Sequence, residues 1–151
     1  MVGTQAQTIR NTNNSAVLTI DDKGVVRNTG NSFIARIEPN GTIRDKGNSF
    51  IGKVENDGTV RDRNNSYMGK IENDGTVRNR NNAVLGKVES NGTVRDSGNH
   101  TLGKAQGVPM RYTALYFFFG FFVVHFLVFL LYHLRTFFHF FFTFFVFVTV
   151  L

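Results

Sequence analysis

The sequence repeats one 17-residue unit six times in succession, across residues 7–108. The clearest copies begin at a glycine and span 41–57, 58–74 and 75–91, with GTVRDRNNSYMGKIEND as the second of these. Copies 24–40 and 92–108 are looser, and 7–23 is the most divergent. A short fixed period is typical of folds in which each unit is too small to bury its own apolar face and packs against its neighbours. Functional residues are therefore expected in rings, one per unit.

The apolar residues of the unit favour β-strands. Numbered from its glycine, the unit has Ile or Val at position 3 in every copy, and at position 14 in every copy but the last. Position 10 is often aromatic. Short runs of β-branched and aromatic residues between Gly, Asn and Asp predict strands, and no apolar run has a helical period. We predict an all-β domain of tandem β-hairpins with two strands per unit.

Turn chemistry predicts the strand register. A three-residue Asn56-Asp57-Gly58 loop would pair Val54 with Val60 and place Gly58 in a left-handed conformation. A two-residue loop at Arg63-Asn64 would place Val60 opposite Tyr67. Positions 3, 10 and 14 would then share the buried face, and positions 2, 4, 11, 13 and 15 the other, because side chains alternate along a strand.

The ends of the array leave two alternatives open. Five hairpins are contiguous in sequence, and half a unit remains at each end, 8–10 and 101–107. The halves either pair and close a pseudo-symmetric ring, or they cap a five-fold array. Closure is favoured because it removes exposed strand edges. An open β-solenoid is a further alternative that fits two turns per unit less well.

The repeat and its ending carry a resemblance to a known family. Tandem GT[IV]R[DN] units followed by Gly107-Val108-Pro109, then Arg111 and a Phe run at 117–119, resemble the bacterial five-fold β-flower proteins. The resemblance covers roughly residues 7–119. It implies a pseudo-symmetric all-β domain of hairpin petals, and it implies no activity. This chain departs from the family pattern because it continues past the Phe run to Leu151.

A hydrophobic tail, 109–151, is predicted to follow a repeat domain at 1–108. Residues 112–151 hold fifteen of the seventeen Phe and one formal charge, Arg135. A spanning helix needs about 20 apolar residues, so 112–134 is a candidate transmembrane helix. No secretory signal is seen at the N-terminus, and we expect a tail anchor with a cytoplasmic head. The alternative is that residues beyond about Gly120 are T-rich DNA read out of frame. The protein would then be soluble and cytoplasmic and would end near an apolar Phe patch, which either docks under the β-ring or touches a membrane.

Two polar rings are candidate binding sites. Position 4 is an arginine in every copy, and such a belt suits carboxylate or phosphate ligands. Position 8 is an asparagine in every copy, which could contact a sugar. The competing interpretation pairs each Arg with a Glu at position 15 and assigns each Asn to turn formation. The candidates are Arg27, Arg44, Arg61, Arg78, Arg95, Asn31, Asn48, Asn65 and Asn82, with Arg10, Asn14 and Asn99 in the looser end copies.

The sequence gives few signs of catalysis, metal binding or nucleic-acid binding. The chain has no Cys, which excludes disulfides and thiol catalysis, and its net charge of +6 is evenly spread rather than clustered as in a dedicated nucleic-acid binder. No nucleophile–base pair stands out, and the Asn-Asp-Gly turns lack calcium-loop spacing. We expect no cofactor or metal. The sequence predicts a non-enzymatic structural or interaction module, tail-anchored to a membrane, or alternatively a soluble ring that binds an anionic or glycan ligand.

Overall fold

The computed structural model describes residues 7–122, which form twelve antiparallel strands and one helix. Each unit supplies a four-residue strand and a longer partner. The elements are β1 Thr8–Asn11, β2 Ala16–Ile20, β3 Val25–Asn28, β4 Phe33–Ile37, β5 Thr42–Asp45, β6 Phe50–Val54, β7 Thr59–Asp62, β8 Tyr67–Ile71, β9 Thr76–Asn79, β10 Val84–Val88, β11 Thr93–Asp96, β12 Thr101–Gln106 and α1 Met110–Phe119.

The strands close into a barrel, which confirms the predicted ring. β1 pairs with β12, with Ile9 opposite Ala105 and Arg10 opposite Lys104. This is the register of β6 and β7, where Val54 lies opposite Val60 and Lys53 opposite Arg61. The two chain ends therefore build a sixth pair equivalent to the five contiguous hairpins, and among the described strands no edge is left open.

The Gly turns, defined as the turns that end at position 1, form as predicted. The Glu55 N–H donates to the Thr59 carbonyl at 2.8 Å, and the Gly58 N–H donates to the Glu55 carbonyl at 3.0 Å. Gly58 has a φ of +88°. A Cβ at this residue would stand 2.0 Å from the Ile71 carbonyl oxygen, so the position requires glycine.

The second turn differs from its prediction. Arg61 pairs with Tyr67, and Val60 lies opposite Gly69 rather than Tyr67. The loop holds three residues, 63–65, because Asn65 takes a left-handed φ of 61° and ends the loop as Gly58 ends its own. We call these turns the Asn loops. A bulge at Met68 then puts one extra residue into the longer strand.

The bulge decides which side chains face inward. Positions 3, 12 and 14 line the interior, and the predicted burial of positions 3 and 14 is confirmed, with every such residue at most 5% exposed. The predictions for positions 10 and 11 were wrong. Position 10 is exposed, and position 11 packs against the core, because the inserted residue shifts the alternation by one. The exposed residues at position 10 include Phe33, Phe50, Tyr67 and Val84.

The helix α1 fills the interior of the barrel. Arg111 donates to the Asn56 carbonyl at 2.7 Å, which fixes the start of α1 at the Gly-turn end. Thr113, Ala114 and Leu115 are 0% exposed. The helix ends at Gly120, whose φ is +68° and whose N–H donates to the Leu115 carbonyl. Burial raises the pKa of the Tyr116 phenol above its ordinary value.

Phenylalanine rings of the C-terminal segment cover the glycines at position 12. A Cβ at Gly86 would stand 2.7 Å from a ring carbon of Phe118. The same relation holds for three further pairs. The covered glycines and their rings are Gly52 with Phe121, Gly69 with Phe119, Gly86 with Phe118, and Gly103 with Phe117. The repeated glycine therefore makes room for the rings.

The described part of the predicted tail is a barrel plug. Side chains from residues 110–122 pack into the core of the repeat domain that was predicted at 1–108. The candidate transmembrane helix at 112–134 is interrupted, since α1 ends at Phe119. No helix within residues 7–122 has the length and apolar character needed to cross a bilayer. The rest of the predicted span, from 123 onward, lies outside the described residues.

Candidate functional site

The arginine ring lies on the outer wall and is engaged within the barrel. In four units the Arg Nε donates to a Glu Oε1 of the neighbouring strand at 2.7–3.0 Å. In all six units an Arg Nη1 donates to the carbonyl of the Asn at position 8, at 3.0–3.2 Å. This geometry is the one that the competing cross-strand interpretation describes. The Arg–Glu pairs are Arg44–Glu38, Arg61–Glu55, Arg78–Glu72 and Arg95–Glu89.

The Arg–Glu pairs are expected to stabilise the barrel only slightly. The Arg78 and Glu72 side chains are 30% and 37% exposed, and exposed pairs contribute about 0.2–1 kcal/mol. Arg78→Ala, Glu72→Ala and the double variant, unfolded in denaturant, should show a coupling free energy of about that size. A coupling above about 2 kcal/mol would contradict the assignment of these pairs to the exposed surface.

The asparagine ring lies at the loop tips. All six residues have left-handed φ values between 60° and 68°, and all six are exposed. Each accepts the Arg of its own unit through its backbone carbonyl, as Asn65 does from Arg61. The structure therefore brings each predicted Arg and Asn together within a unit, through the backbone of the Asn loop. These residues are Asn14, Asn31, Asn48, Asn65, Asn82 and Asn99.

Sequence reasoning missed a third ring at position 5, which organises the Asn loops. The Asp62 Oδ1 accepts the N–H groups of Asn64 at 2.8 Å and Ser66 at 2.9 Å. The Asp45 Oδ1 does the same for Gly47 and Ser49. The signal was present, because position 5 is Asp or Asn in all six copies, and such side chains cap local backbone donors. The members are Asn11, Asn28, Asp45, Asp62, Asn79 and Asp96.

The Gly-turn end carries acidic residues. Asp74 accepts hydrogen bonds from the Thr76 N–H and hydroxyl, both at 2.9 Å, and lies 3.2 Å from the Lys87 Nζ. These contacts, the Thr76 N–H foremost, lower the pKa of Asp74 to about 2. Asp57 has the same arrangement with Thr59, which also lowers its pKa. Both carboxylates are exposed.

An acid titration should detect the Asp74 contacts. Its pKa is lowered to about 2 in the folded barrel, against about 3.9 for an unperturbed Asp. The stabilising contribution is therefore complete above about pH 4 and is lost as the pH falls through about 2. Carboxyl chemical shifts followed by NMR should give the low midpoint, and Thr76→Val should raise it. A midpoint at the ordinary value in the unmodified chain would contradict these contacts.

A cleft with both apolar and polar lining residues opens at the Asn-loop end, beside the last described residues. Its volume is about 510 Å³. Ile34, Ile51 and Met68 line it together with the plug residues 119–122, and Asp62 and Arg63 lie among its polar lining residues. Phe122 is only 7% exposed, so the chain is still part of the core at this point.

Catalytic and metal chemistry find little support in the described part of the chain. Within residues 7–122, no three His, Asp or Glu side chains are grouped so that they could hold a metal ion. The His100 Nδ1 lies 3.2 Å from the Asp96 Oδ2. The Asp96 carboxylate also accepts the His100 N–H, and these contacts lower the pKa of Asp96. The pair is explained as part of its Asn loop.

Comparison with known proteins gives one finding. No curated protein and no solved structure matches this chain. The family described as 5-fold beta-flower protein matches residues 6–122. That range takes in all twelve strands, α1 and the two plug residues Phe121 and Phe122, as expected if the plug is an integral part of the fold. The chain therefore belongs to the 5-fold beta-flower proteins.

Proposed function

We propose that this β-flower chain is a non-enzymatic structural module that its apolar C-terminal residues hold at a membrane. One observation carries the proposal. Phe121 and Phe122 are buried at the Asn-loop end, and the sequence continues from Val123 without a polar linker. Residues 123–151 contain a single formal charge, Arg135, and are rich in Phe.

The anchor begins later than the sequence alone suggested. Residues 112–122 contribute to the barrel core, so the apolar length offered to a bilayer starts at Val123. The uncharged run from Val123 to Leu134 is shorter than the roughly 20 residues that a spanning helix needs. Insertion into one leaflet therefore fits this length better than a full crossing. Each Phe side chain that leaves water contributes about 1.5–3 kcal/mol, so a few suffice to hold the barrel.

The alternative, a soluble ring that binds an anion or glycan through the Arg and Asn rings, has less support. The Arg Nε and Nη1 atoms already donate to Glu carboxylates and loop carbonyls in four units. A ligand would have to displace these contacts or use what remains of each guanidinium group.

Liposome flotation tests the proposal. The full chain should float with neutral phosphatidylcholine vesicles and resist washing with high salt and carbonate. The matched control is the chain truncated after Phe122, which keeps every described core residue and should stay in the soluble fraction. If the full chain fails to float, or if both chains float equally, the C-terminal residues are not the anchor.

A further inference from the structure

The ring is not uniform at position 10. Four consecutive units place a large apolar side chain there, and these side chains are 36–43% exposed. The same position in the two remaining units holds Ala16 and Thr101. Each large residue is the first of its strand and directly follows an Asn loop. Four of the six units, about two-thirds of the closed ring, therefore present exposed apolar side chains beside the Asn-loop end, formed by Phe33, Phe50, Tyr67 and Val84.

Three of these four units also carry exposed basic residues at position 6. Lys46, Arg63 and Arg80 follow one another in the third, fourth and fifth units, where the other units have Thr or Ser. The neighbouring carboxylates, Asp45 and Asp62, each accept two backbone N–H groups within their own loops. The acids are thereby held against their loops, while the cationic groups stay free to contact a partner.

The last described residues of the chain lie in this sector. The cleft at the mouth is lined by Ile34, Ile51 and Met68, which belong to three of the four units with exposed apolar side chains. Arg63 lies in its lining as well. The apolar residues from Val123 onward therefore begin next to the same Asn loops.

We propose that this sector is a docking surface for an anionic phospholipid membrane. We call it the aromatic–basic face, and it consists of Phe33, Phe50, Tyr67, Val84, Lys46, Arg63 and Arg80. Aromatic side chains favour the membrane–water interface, and Lys and Arg are attracted by anionic headgroups. At the opposite end Asp57 and Asp74 lie beside Lys70 and Lys87, so the charge there is balanced and the basic end of the barrel turns toward the lipid. This inference rests on the proposed anchoring and adds its lipid class and orientation.

A basic and aromatic surface can also bind single-stranded nucleic acid. The membrane is favoured because the apolar C-terminal residues start at this face, and a nucleic acid offers them no apolar environment.

The affinity of the full chain for vesicles tests whether the basic residues of the aromatic–basic face attract anionic lipid. Adding anionic phosphatidylglycerol to phosphatidylcholine vesicles should raise the affinity about tenfold or more. The triple variant Lys46→Ala, Arg63→Ala, Arg80→Ala should lose this gain while keeping its affinity for neutral vesicles. The matched control, Lys53→Ala, Lys70→Ala, Lys87→Ala, removes the same charge from the outer wall, where Lys70 and Lys87 pair with the Gly-turn acids. It should keep the gain.

A fluorescence measurement tests the orientation. The chain contains no Trp, so one introduced Trp is a clean reporter. Tyr67→Trp lies on the aromatic–basic face, and Ala16→Trp occupies the same position of the unit three units away, on the opposite side of the six-unit ring. On anionic vesicles the emission of the first should shift to shorter wavelength, and that of the second should stay unchanged.

The outcomes separate the two proposals. If the full chain binds no vesicles, the proposed anchoring fails and this inference fails with it. If it binds neutral and anionic vesicles equally, or if both triple variants behave alike, anchoring stands and the docking face is overturned. The face is also overturned if the first triple variant loses only its binding to a single-stranded oligonucleotide.

Discussion

A chain truncated after Val108 is expected to lose the cooperative unfolding transition of the barrel. The truncation removes Ala114, Leu115, Phe121 and Phe122, all at most 7% exposed, and empties the space that α1 fills. Each large apolar residue stabilises the fold by about 1.5–3 kcal/mol. Together these approach the roughly 5–15 kcal/mol that hold a domain folded. Circular dichroism during thermal and denaturant unfolding measures the effect.

The chain truncated after Phe122 is the control for this loss. It retains the plug and every strand, and we expect it to unfold cooperatively. If the chain ending at Val108 unfolds with the same midpoint, the strands and turns alone hold the barrel, and the plug contributes little. That result would contradict the role assigned here to the Phe rings.

The second large effect is expected from Gly86→Ala. Its Cβ would stand 2.1 Å from the Arg95 carbonyl oxygen and 2.7 Å from a ring carbon of Phe118. Backbone and ring must both move, and overpacking of this kind costs about 1–3 kcal/mol, with more where the backbone cannot shift. Denaturant unfolding should therefore give a loss of about 3 kcal/mol.

The same substitution in an open loop provides the control. At Gly47, in an Asn loop, an added Cβ would meet nothing closer than the Asp45 Oδ1 at 3.3 Å. Gly47→Ala should stay within about 0.5 kcal/mol of the unmodified chain, as surface substitutions usually do. Equal effects at Gly86 and Gly47 would show that the Phe rings and the neighbouring strand do not restrict position 12.

The plug changes how the apolar C-terminal residues are understood. From the sequence, the Phe run at 117–119 looks like the beginning of a membrane segment. In the structure these rings cover Gly103, Gly86 and Gly69. An apolar run is consistent with a bilayer or with a protein interior, and composition does not distinguish the two environments. The glycines at position 12 face the barrel axis in the structure, and the space beside them is where the Phe rings pack.

The Arg and Asn rings were identified from the sequence. The sequence also offered the interpretation that the geometry favours, in which each Arg pairs with a Glu across the strands and each Asn forms a turn. Four copies have a Glu six residues before the Arg of the next copy, across one hairpin, and this spacing is enough to predict the cross-strand pairs. The position 5 ring was missed although it repeats equally well. Its Asp and Asn side chains act on backbone N–H groups two and four residues ahead, as Asp62 does, and so leave no partner side chain in the pattern.

The sequence by itself determined the strands and the Gly turns, and it favoured a closed ring over the alternatives that it left open. Strands and turns depend on contacts within a unit or between neighbouring units. Because the sequence repeats, the same local contacts recur in each copy and can be predicted from the pattern. Val54 opposite Val60, with Gly58 in the left-handed conformation, follows from seven residues. The resemblance of the repeat to the β-flower family rests on the same local pattern.

Only the tertiary structure decided the register across the Asn loops and the place of the Phe run. A bulge at Met68 exchanges the roles of positions 10 and 11, and a single inserted residue is invisible in a pattern that fits either register. Phe118 lies more than thirty residues from Gly86 in sequence and packs on it because the closed ring leaves a space that α1 fills. Such contacts depend on the shape of the whole barrel, which no single unit encodes.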